Sequence, residues 1–347
     1  MEPRRPTSAD VAALARVSRT TVSFVLNGRD VQISPATRER VLQAARQLGY
    51  QPHAGARQLA AGRSHTLGLV LKQSADQVAG DALLAETLRG LMTAARTGGF
   101  RVIVEAAEPV AEPYGDLVRS GRTDGLVVSG PRTNDPELAD IVQAGFPVVL
   151  QGSLPDATVP SVDVDNAAGA RAGVEHLIAL GHRRIGCITN APLVYTSAQA
   201  RLNGYRAALR EAGIEADPSW IQEGDFDAPS GNRAMAALLK GSDVTATFVA
   251  SDVVAFGAIG ALRARRLRVP DDMSIMGFDD IPLAAFFDPP LTTVRLPAYE
   301  LGHAVGIALL DRISHASVPA RTLLPTELVV RASTGPPRSP PSQRRGD

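Results

Sequence analysis

The sequence predicts an N-terminal all-α helix-turn-helix domain, followed by a larger α/β domain of two lobes built on doubly wound parallel sheets. Three observations support this fold class: a basic head, three helical patterns within residues 8–50, and an alternation of strands and helices from Thr66 onward. With 347 residues, the chain is longer than one typical core and shorter than three large ones. This length favours one small domain plus one large domain.

Charge is distributed unevenly along a chain whose formal net charge is zero. Residues 1–66 hold ten arginines and four acidic residues, a net charge of +6, whereas the other 281 residues hold 26 basic and 32 acidic residues. A basic head on an acidic body is typical of a protein that docks one end on nucleic acid, although an ordinary solvated face gives the same count. The value for the whole chain therefore does not exclude DNA binding.

The head contains three helical patterns with recognisable ends. Ser8 and Ser18 are predicted to cap the first two helices, and Ser34 followed by a proline starts the third. Two helices separated by about three residues have the spacing of a helix-turn-helix motif. The residues predicted to face inward are Val11, Leu14, Ala15, Val22, Val25, Leu26, Val41, Ala45 and Leu48. A further segment, residues 55–61, has helical composition but too few apolar residues to be stable alone.

The body alternates between strands and helices in two series. Asp165 is predicted to cap a helix that Gly181 ends, and this helix separates the series. The strand candidates are residues 67–71, 101–105, 125–129, 148–150 and 161–164, then 185–189, 221–223, 246–250 and 274–278. Such alternation predicts parallel sheets covered on both faces, with a ligand cleft at the carboxyl ends of the strands.

Composition argues against several other classes. The single cysteine, Cys187, excludes an intrachain disulfide, which fits a cytoplasmic protein, and no apolar run has the length of a membrane span or an export signal. The six histidines lack metal-ligand spacing, and no cofactor-binding or nucleophile motif occurs. We therefore expect no metal, no cofactor, no membrane association and no enzymatic activity.

Several stretches resemble the lactose/galactose repressor (LacI/GalR) family of bacterial transcription regulators. Residues 10–27, DVAALARVSRTTVSFVLN, resemble the DNA-binding signature of this family, and the resemblance continues through residues 34–41 and 48–52. Residues 56–60 resemble its hinge helix. Five further stretches resemble the effector domain of the family: residues 162–166, 180–185, 201–205, 277–280 and 290–294. The resemblance covers about residues 7–335. It implies a periplasmic-binding-protein-like fold for the large domain and control of DNA binding by a small ligand.

The second helix is the recognition helix that the resemblance implies, with its first residues at base edges in the major groove. Arg19, Thr20 and Ser23 are the expected base readers. Thr21 and Asn27 are expected to hold phosphates or the turn.

Two positions in this region depart from the family pattern. Phe24 replaces a common arginine and is expected either to touch a thymine methyl or to pack. Arg16 replaces the usual glycine of the turn, and a left-handed arginine there would cost about 1 kcal/mol.

The hinge segment is expected to contact the minor groove. Leu59 matches the leucine that family members wedge between central base pairs, with interdomain packing as the alternative. Ala56 lies one turn earlier, where a small residue permits close helix approach, and His53 stands where asparagine is common.

The resemblance also implies an effector site. Arg201 and Asp279 match the family's ligand-binding arginine and acid, a pair that suits vicinal hydroxyls, although a surface ion pair or a helix cap is the alternative. Phe226 matches an aromatic position that stacks on a sugar face, and Ser251 and Ser74 are further polar candidates.

The predicted function is that of a ligand-responsive repressor of sugar-uptake or catabolic genes. Its expected partners are double-stranded operator DNA with pseudo-palindromic sequence, a sugar or sugar-like effector, and a second copy of the chain in a homodimer. The effector's identity and its sign, inducer or corepressor, stay open. The alternative function is that of a sugar-binding protein without a DNA role, and the third hypothesis is an enzyme on this fold.

The predicted organisation follows from these motifs. It consists of a flexible N-terminus at residues 1–6, the helix-turn-helix domain at 7–52, a hinge helix and linker at 53–65, the effector-binding and dimerisation domain at 66–335, and a disordered tail at 336–347. Within the large domain, the N-lobe is expected at about residues 66–163 plus 292–323, and the C-lobe at about 164–291 plus 324–335.

Overall fold

The computed structural model describes residues 6–26, 32–50, 63–106, 113–155 and 159–338. The chain divides into two compact units, Met1–His65 and Thr66–Asp347. Each unit has its own hydrophobic core, which confirms the predicted fold class of a small all-α domain and a large α/β domain.

The small unit contains the helices α1 (Ser8–Ala15), α2 (Arg19–Leu26) and α3 (Pro35–Leu48). They pack around a core that includes Val11, Val22, Val25 and Val41. Leu14 was expected in this core but is 46% exposed, because Ala12 rather than Leu14 completes the inward stripe of α1.

The ends of these helices are set by side chains and by one strained residue. Thr7, not Ser8, caps α1 and forms a reciprocal capping box with Asp10. Ser18 caps α2 as predicted, since its hydroxyl accepts a hydrogen bond from the backbone N–H of Thr21 at 3.0 Å. Arg16 ends α1 in the left-handed region, with φ 54° and ψ 51°. The chain therefore tolerates a cost of about 1 kcal/mol at the position where the family favours glycine.

The first lobe of the large unit is a six-stranded parallel sheet with the order β11-β5-β4-β3-β1-β2. Its strands are β1 (Thr66–Leu71), β2 (Arg101–Ala106), β3 (Gly125–Ser129), β4 (Val148–Gln151), β5 (Ser161–Val164) and β11 (Arg321–Leu324). Its helices are α4 (Ala75–Gly80), α5 (Leu84–Thr97), α6 (Pro113–Arg119), α7 (Pro136–Gln143) and α12 (Ala298–Ile313). The helices α5 and α12 approach so closely that a Cβ on Gly302 would lie 2.1 Å from the Thr87 carbonyl oxygen.

The second lobe is a four-stranded parallel sheet with the order β7-β6-β8-β9, extended by an antiparallel pair of β10 and β12. Its strands are β6 (Ile185–Ile188), β7 (Ile221–Gln222), β8 (Ala246–Val249), β9 (Ser274–Met276), β10 (Thr293–Arg295) and β12 (Glu327–Val329). Its helices are α8 (Asn166–Ala179), α9 (Thr196–Glu211), α10 (Ala228–Gly241) and α11 (Asp252–Ala264).

The chain passes between the lobes three times, near residues 164–166, 295–298 and 324–327. The strand β10 pairs with β12 and bridges the end of β9 through Met276 and Thr292, so residues 292–295 lie with the second lobe. The first lobe was expected to resume at residue 292. It resumes instead at α12, because β10 pairs with β12 and isolated bridges join this segment to the end of β9.

Residues 336–338 of the expected disordered tail are described, and the rest of that segment lies outside the described residues. Arg338 forms an ion pair with Asp272, and Pro337 lies against Gly181, so the first tail residues pack on the second lobe. Within the described ranges, no helix has both the length and the apolar character needed to cross a membrane.

Candidate functional site

An open cleft lies between the two lobes, at the carboxyl ends of their strands. Loops that follow β1, β3 and β4 line it from the first lobe, and loops that follow β6, β8 and β9 line it from the second. The cleft is open to solvent, and the empty space within it and at its mouth amounts to about 1090 Å³. Four of the five predicted effector residues line it: Arg201, Phe226, Ser251 and Asp279.

Arg201 projects from α9 into the floor of the cleft and is 5% exposed. Its Nε donates to Asn166 Oδ1 at 2.8 Å, and its Nη1 donates to the Ala250 carbonyl at 2.6 Å and to Asp279 Oδ1 at 3.1 Å. The guanidinium also lies 3.7 Å from the centroid of the Phe278 ring. These contacts fix its orientation, so the guanidinium is preorganised for a ligand.

Asp279 follows β9 and faces Arg201. Its φ of 120° is unusual for a residue with a side chain, and its backbone N–H donates to the Val294 carbonyl at 2.7 Å. Pairing with β10 thus holds the carboxylate where a relaxed backbone would not place it, a feature that often marks a functional position. Burial raises the pKa of Asp279 to about 6, although Arg201 and a hydrogen bond from Ser251 lower it.

A second buried carboxyl group, that of Asp252, lies close enough to Asp279 for their charges to interact. Asp252 is fully buried at the start of α11, where it accepts hydrogen bonds from Thr293 Oγ1 at 2.6 Å and from the Ile281 N–H at 3.0 Å. Burial and the neighbouring Asp279 raise the pKa of Asp252 well above its ordinary value. Asp252 itself does not line the cleft, whose floor presents Asp279 and Arg201.

The aromatic wall of the cleft is Phe226, whose φ is 61°. Its ring meets the Tyr195 ring edge to face at a centroid distance of 4.9 Å. The Tyr195 hydroxyl donates to the backbone carbonyl of Lys72 in the first lobe at 2.6 Å. Phe226 is thus backed by a residue that is bonded to both lobes.

Ser74 does not belong to the lining of the cleft, contrary to the sequence-based expectation. Its hydroxyl caps α4 by accepting a hydrogen bond from the Gln77 N–H at 3.3 Å, while Gln77 Oε1 accepts from the Ser74 N–H at 3.0 Å. The side chains of Gln73 and Gln77, on either side of it, line the cleft instead.

We predict that Ser74→Ala lowers the free energy of unfolding by about 1 kcal/mol, the usual cost of losing an N-cap, and leaves ligand affinity unchanged. Chemical denaturation and ligand titration of the same preparation measure the two quantities. A weaker ligand with unchanged stability would return Ser74 to the binding site.

Sequence reasoning missed several residues of the site. Asn166 orients the Arg201 guanidinium, and Asp163 in turn accepts from Asn166 Nδ2 at 3.0 Å. Both residues lie in the motif at 162–166, so their signal was present, but its role depends on α8 and α9 meeting in space. Asp81, Gln151 and Asn190 also line the cleft and carry no distinctive local pattern.

Five of the DNA-binding candidates lie on α2 in the small unit. Arg19, Thr20 and Ser23 are exposed, whereas Thr21 and Phe24 are half-buried. The Thr21 hydroxyl lies 2.9 Å from Ser18 Oγ at the start of α2. The remaining candidates, Asn27, His53, Ala56 and Leu59, lie outside the described residues.

A helix-turn-helix unit and a two-lobed ligand cleft in one chain define a ligand-responsive DNA-binding regulator. Residues 7–53 match the model for bacterial regulatory proteins of the lacI family, and residues 174–334 match the periplasmic binding protein-like domain. The chain belongs to the LacI family of bacterial regulatory proteins. The match over residues 7–53 favours a regulator over a sugar-binding protein without a DNA role.

Full-length relatives agree with this assignment. The HTH-type transcriptional regulator CelR of Thermobifida fusca is 38% identical over 337 residues, covering 95% of this chain and 98% of CelR. A solved complex of the regulator CelR with cellobiose is 37% identical and covers 95% of this chain and all of that one, with a TM-score of 0.74. The Lac repressor dimer bound to operator and the anti-inducer ONPF is 31% identical with a TM-score of 0.82, covering 96% of this chain and 100% of that one.

Proposed function

We propose that this chain is a transcriptional repressor of sugar-uptake or catabolic genes, which binds a pseudo-palindromic operator as a homodimer and a sugar or sugar-like effector in the cleft. The protein binds its effector without converting it and acts at DNA in the cytoplasm. The similarity to a cellobiose-bound regulator and to an operator-bound dimer supports these finer statements.

One observation carries the choice of effector. Three side-chain carbonyl oxygens that line the cleft, on Gln73, Gln151 and Asn190, are buried and have no hydrogen-bond partner among the described residues. Buried acceptors without partners are rare in folded proteins, so these oxygens call for donors from a ligand. Sugar hydroxyls supply several donors at once, and the apolar face of a sugar ring suits Phe226.

The lobes supply different parts of this site. Gln73 and Gln151 belong to the first lobe, while Arg201, Phe226 and Asp279 belong to the second. A ligand that bonds to both lobes prefers the lobe arrangement in which all contacts form, and it shifts the population toward that arrangement. Three connecting segments permit such a change without unfolding either sheet.

Operator binding is assigned to α2 of each subunit, with Arg19, Thr20 and Ser23 at base edges and Thr21, Phe24 and Asn27 as supporting contacts. His53, Ala56 and Leu59 are proposed to contact the minor groove in the hinge. Two copies related by a twofold axis would read the two halves of a pseudo-palindrome.

The experiment that tests this function starts from DNA selected from random duplexes by the full-length chain. The selected sequence is expected to be pseudo-palindromic, and a sugar found by thermal shift is expected to change the affinity of the complex. Selection without sequence enrichment would contradict operator binding, and enrichment without any sugar effect would contradict the effector assignment.

We predict that effector affinity falls in acid. Burial raises the pKa of the Asp279 carboxyl group to about 6. Below that pH the group becomes protonated, so it accepts fewer hydrogen bonds from sugar hydroxyls and loses the charge that attracts Arg201. Affinity should fall about tenfold between roughly pH 7.5 and pH 5, because one unit below the pKa about a tenth of the sites stay charged. Calorimetry across this range measures it. A flat profile, or the same slope in Asp279→Asn, would exclude Asp279 as the titrating group.

A further inference from the structure

The cleft presents more negative than positive side chains to a ligand. Its ionisable lining residues in the described part of the chain are Asp81, Asp163, Asp279 and Arg201. The first two belong to the first lobe and the last two to the second. Both walls therefore contribute a carboxylate, whereas only one wall contributes a cation.

The single cation is already balanced. The Arg201 guanidinium is 3.1 Å from Asp279, and its Nε and Nη1 are occupied by Asn166 and the Ala250 carbonyl as well. Lys72 precedes the lining residue Gln73, but its ammonium is buried and lies 3.3 Å from Asp135 Oδ2. Once these pairs are counted, Asp81 and Asp163 are the described carboxyl groups of the cleft lining that form no ion pair with a lining cation.

Both remaining carboxylates are held in place. Asp163 is 9% exposed and accepts hydrogen bonds from the Val164 N–H at 2.8 Å, Asn166 Nδ2 at 3.0 Å and Ser153 Oγ at 3.0 Å. Asp81 accepts from the Leu83 N–H at 2.9 Å, between α4 and α5. Burial raises the pKa of each, although backbone hydrogen bonds lower both values and the charges of Arg201 and Arg321 lower that of Asp163.

Asp81 acts on the opposite wall through its charge. Its carboxylate contributes to the raised pKa of Asp279 in the second lobe, so the two groups interact electrostatically across the cleft. A group inserted between the walls would experience both charges in surroundings from which water is partly excluded, where Coulomb interactions are strong.

We infer that Asp81 and Asp163 form a charge filter, so that the cleft binds an uncharged polyhydroxyl ligand and rejects the same ligand carrying a phosphate or carboxylate. This inference rests on the proposed function and narrows its ligand class. A carboxylate accepts hydrogen bonds from hydroxyl donors, whereas an anionic oxygen offers it no donor and repels it.

Matched pairs of probes test the filter: ribose with ribose 5-phosphate, glucose with glucose 6-phosphate, and cellobiose with its 6′-phosphate. For the sugar that binds, calorimetry on the full-length chain is expected to give an affinity for its phosphate at least about 30-fold lower than that for the neutral sugar. Asp81→Asn should narrow this ratio severalfold, because it removes one charge and keeps the shape. Asp76→Asn, an exposed acid on α4 outside the cleft, is the matched control and should leave the ratio unchanged.

A capture experiment extends the test beyond the chosen sugars. Immobilised chain is incubated with a bacterial metabolite extract, and compounds retained by the wild type but not by Arg201→Ala are identified by mass spectrometry. A neutral polyol supports the filter. Retention of a phosphorylated or carboxylated compound, or a sugar phosphate that binds as tightly as its neutral sugar, contradicts the charge filter. Either result is still consistent with the proposed repressor function. Retention of no compound, with no probe binding, overturns both.

Discussion

Arg201→Ala is expected to weaken effector binding at least about 100-fold, equivalent to about 2.7 kcal/mol, while the affinity for operator in the absence of effector stays the same. Its proposed role is to donate charge-assisted hydrogen bonds to the ligand, and it is itself hydrogen-bonded to Asp279 and Asn166. Because the small unit does not contain Arg201, its contacts with bases and phosphates do not depend on this residue.

Stability must be measured beside binding for this variant. Removing one partner of a buried ion pair costs about 3–5 kcal/mol, because the other charge stays buried alone. Arg201→Lys keeps the charge and isolates the loss of guanidinium geometry, and Arg210→Ala removes an exposed arginine from the same helix as a control. An unchanged ligand titration in folded Arg201→Ala would remove Arg201 from the effector site.

Operator affinity is expected to fall at least about 1,000-fold between 50 and 200 mM salt, which is the loss expected for roughly six or more neutralised phosphates. Each head carries a net charge of +6 in residues 1–66, whereas residues 67–335 carry 23 basic and 31 acidic residues. The head therefore attracts the phosphate backbone and the body is repelled by it. The net charge of zero for the whole chain would suggest a weak salt dependence instead.

Individual arginines refine the prediction for salt. Arg46 is bonded to Glu39 at 2.8 Å, so its charge is partly neutralised before DNA arrives. Arg38→Gln should therefore reduce the slope of log affinity against log salt more than Arg46→Gln does. Fluorescence anisotropy at several salt concentrations measures the slopes. A shallow slope in the wild type would contradict the electrostatic role of the head.

Much of this molecule was predictable because its signals are local. Strand and helix alternation gave the two lobes, and the helix caps at Ser18 and Asp165 depend on a few neighbouring residues. Even the left-handed Arg16 was anticipated, since the family's usual glycine marked the turn.

The errors concern features that only the folded chain decides. The strands β10, β11 and β12 have three or four residues each and depend on partners far away in sequence, so no periodicity marks them. Ser74 was assigned to the ligand because it follows β1, but a capping box within its own loop uses its hydroxyl. Asp163 and Asn166 acquire their role only when α9 brings Arg201 beside them.

Control of DNA binding by the cleft is tested by measuring operator affinity as a function of sugar concentration, for the wild type and Arg201→Ala side by side. We expect saturating sugar to change the wild-type operator dissociation constant at least about tenfold, in one direction, and to leave that of the variant unchanged. Sugar that binds the wild-type cleft without changing the affinity for operator would show that the cleft does not control DNA binding.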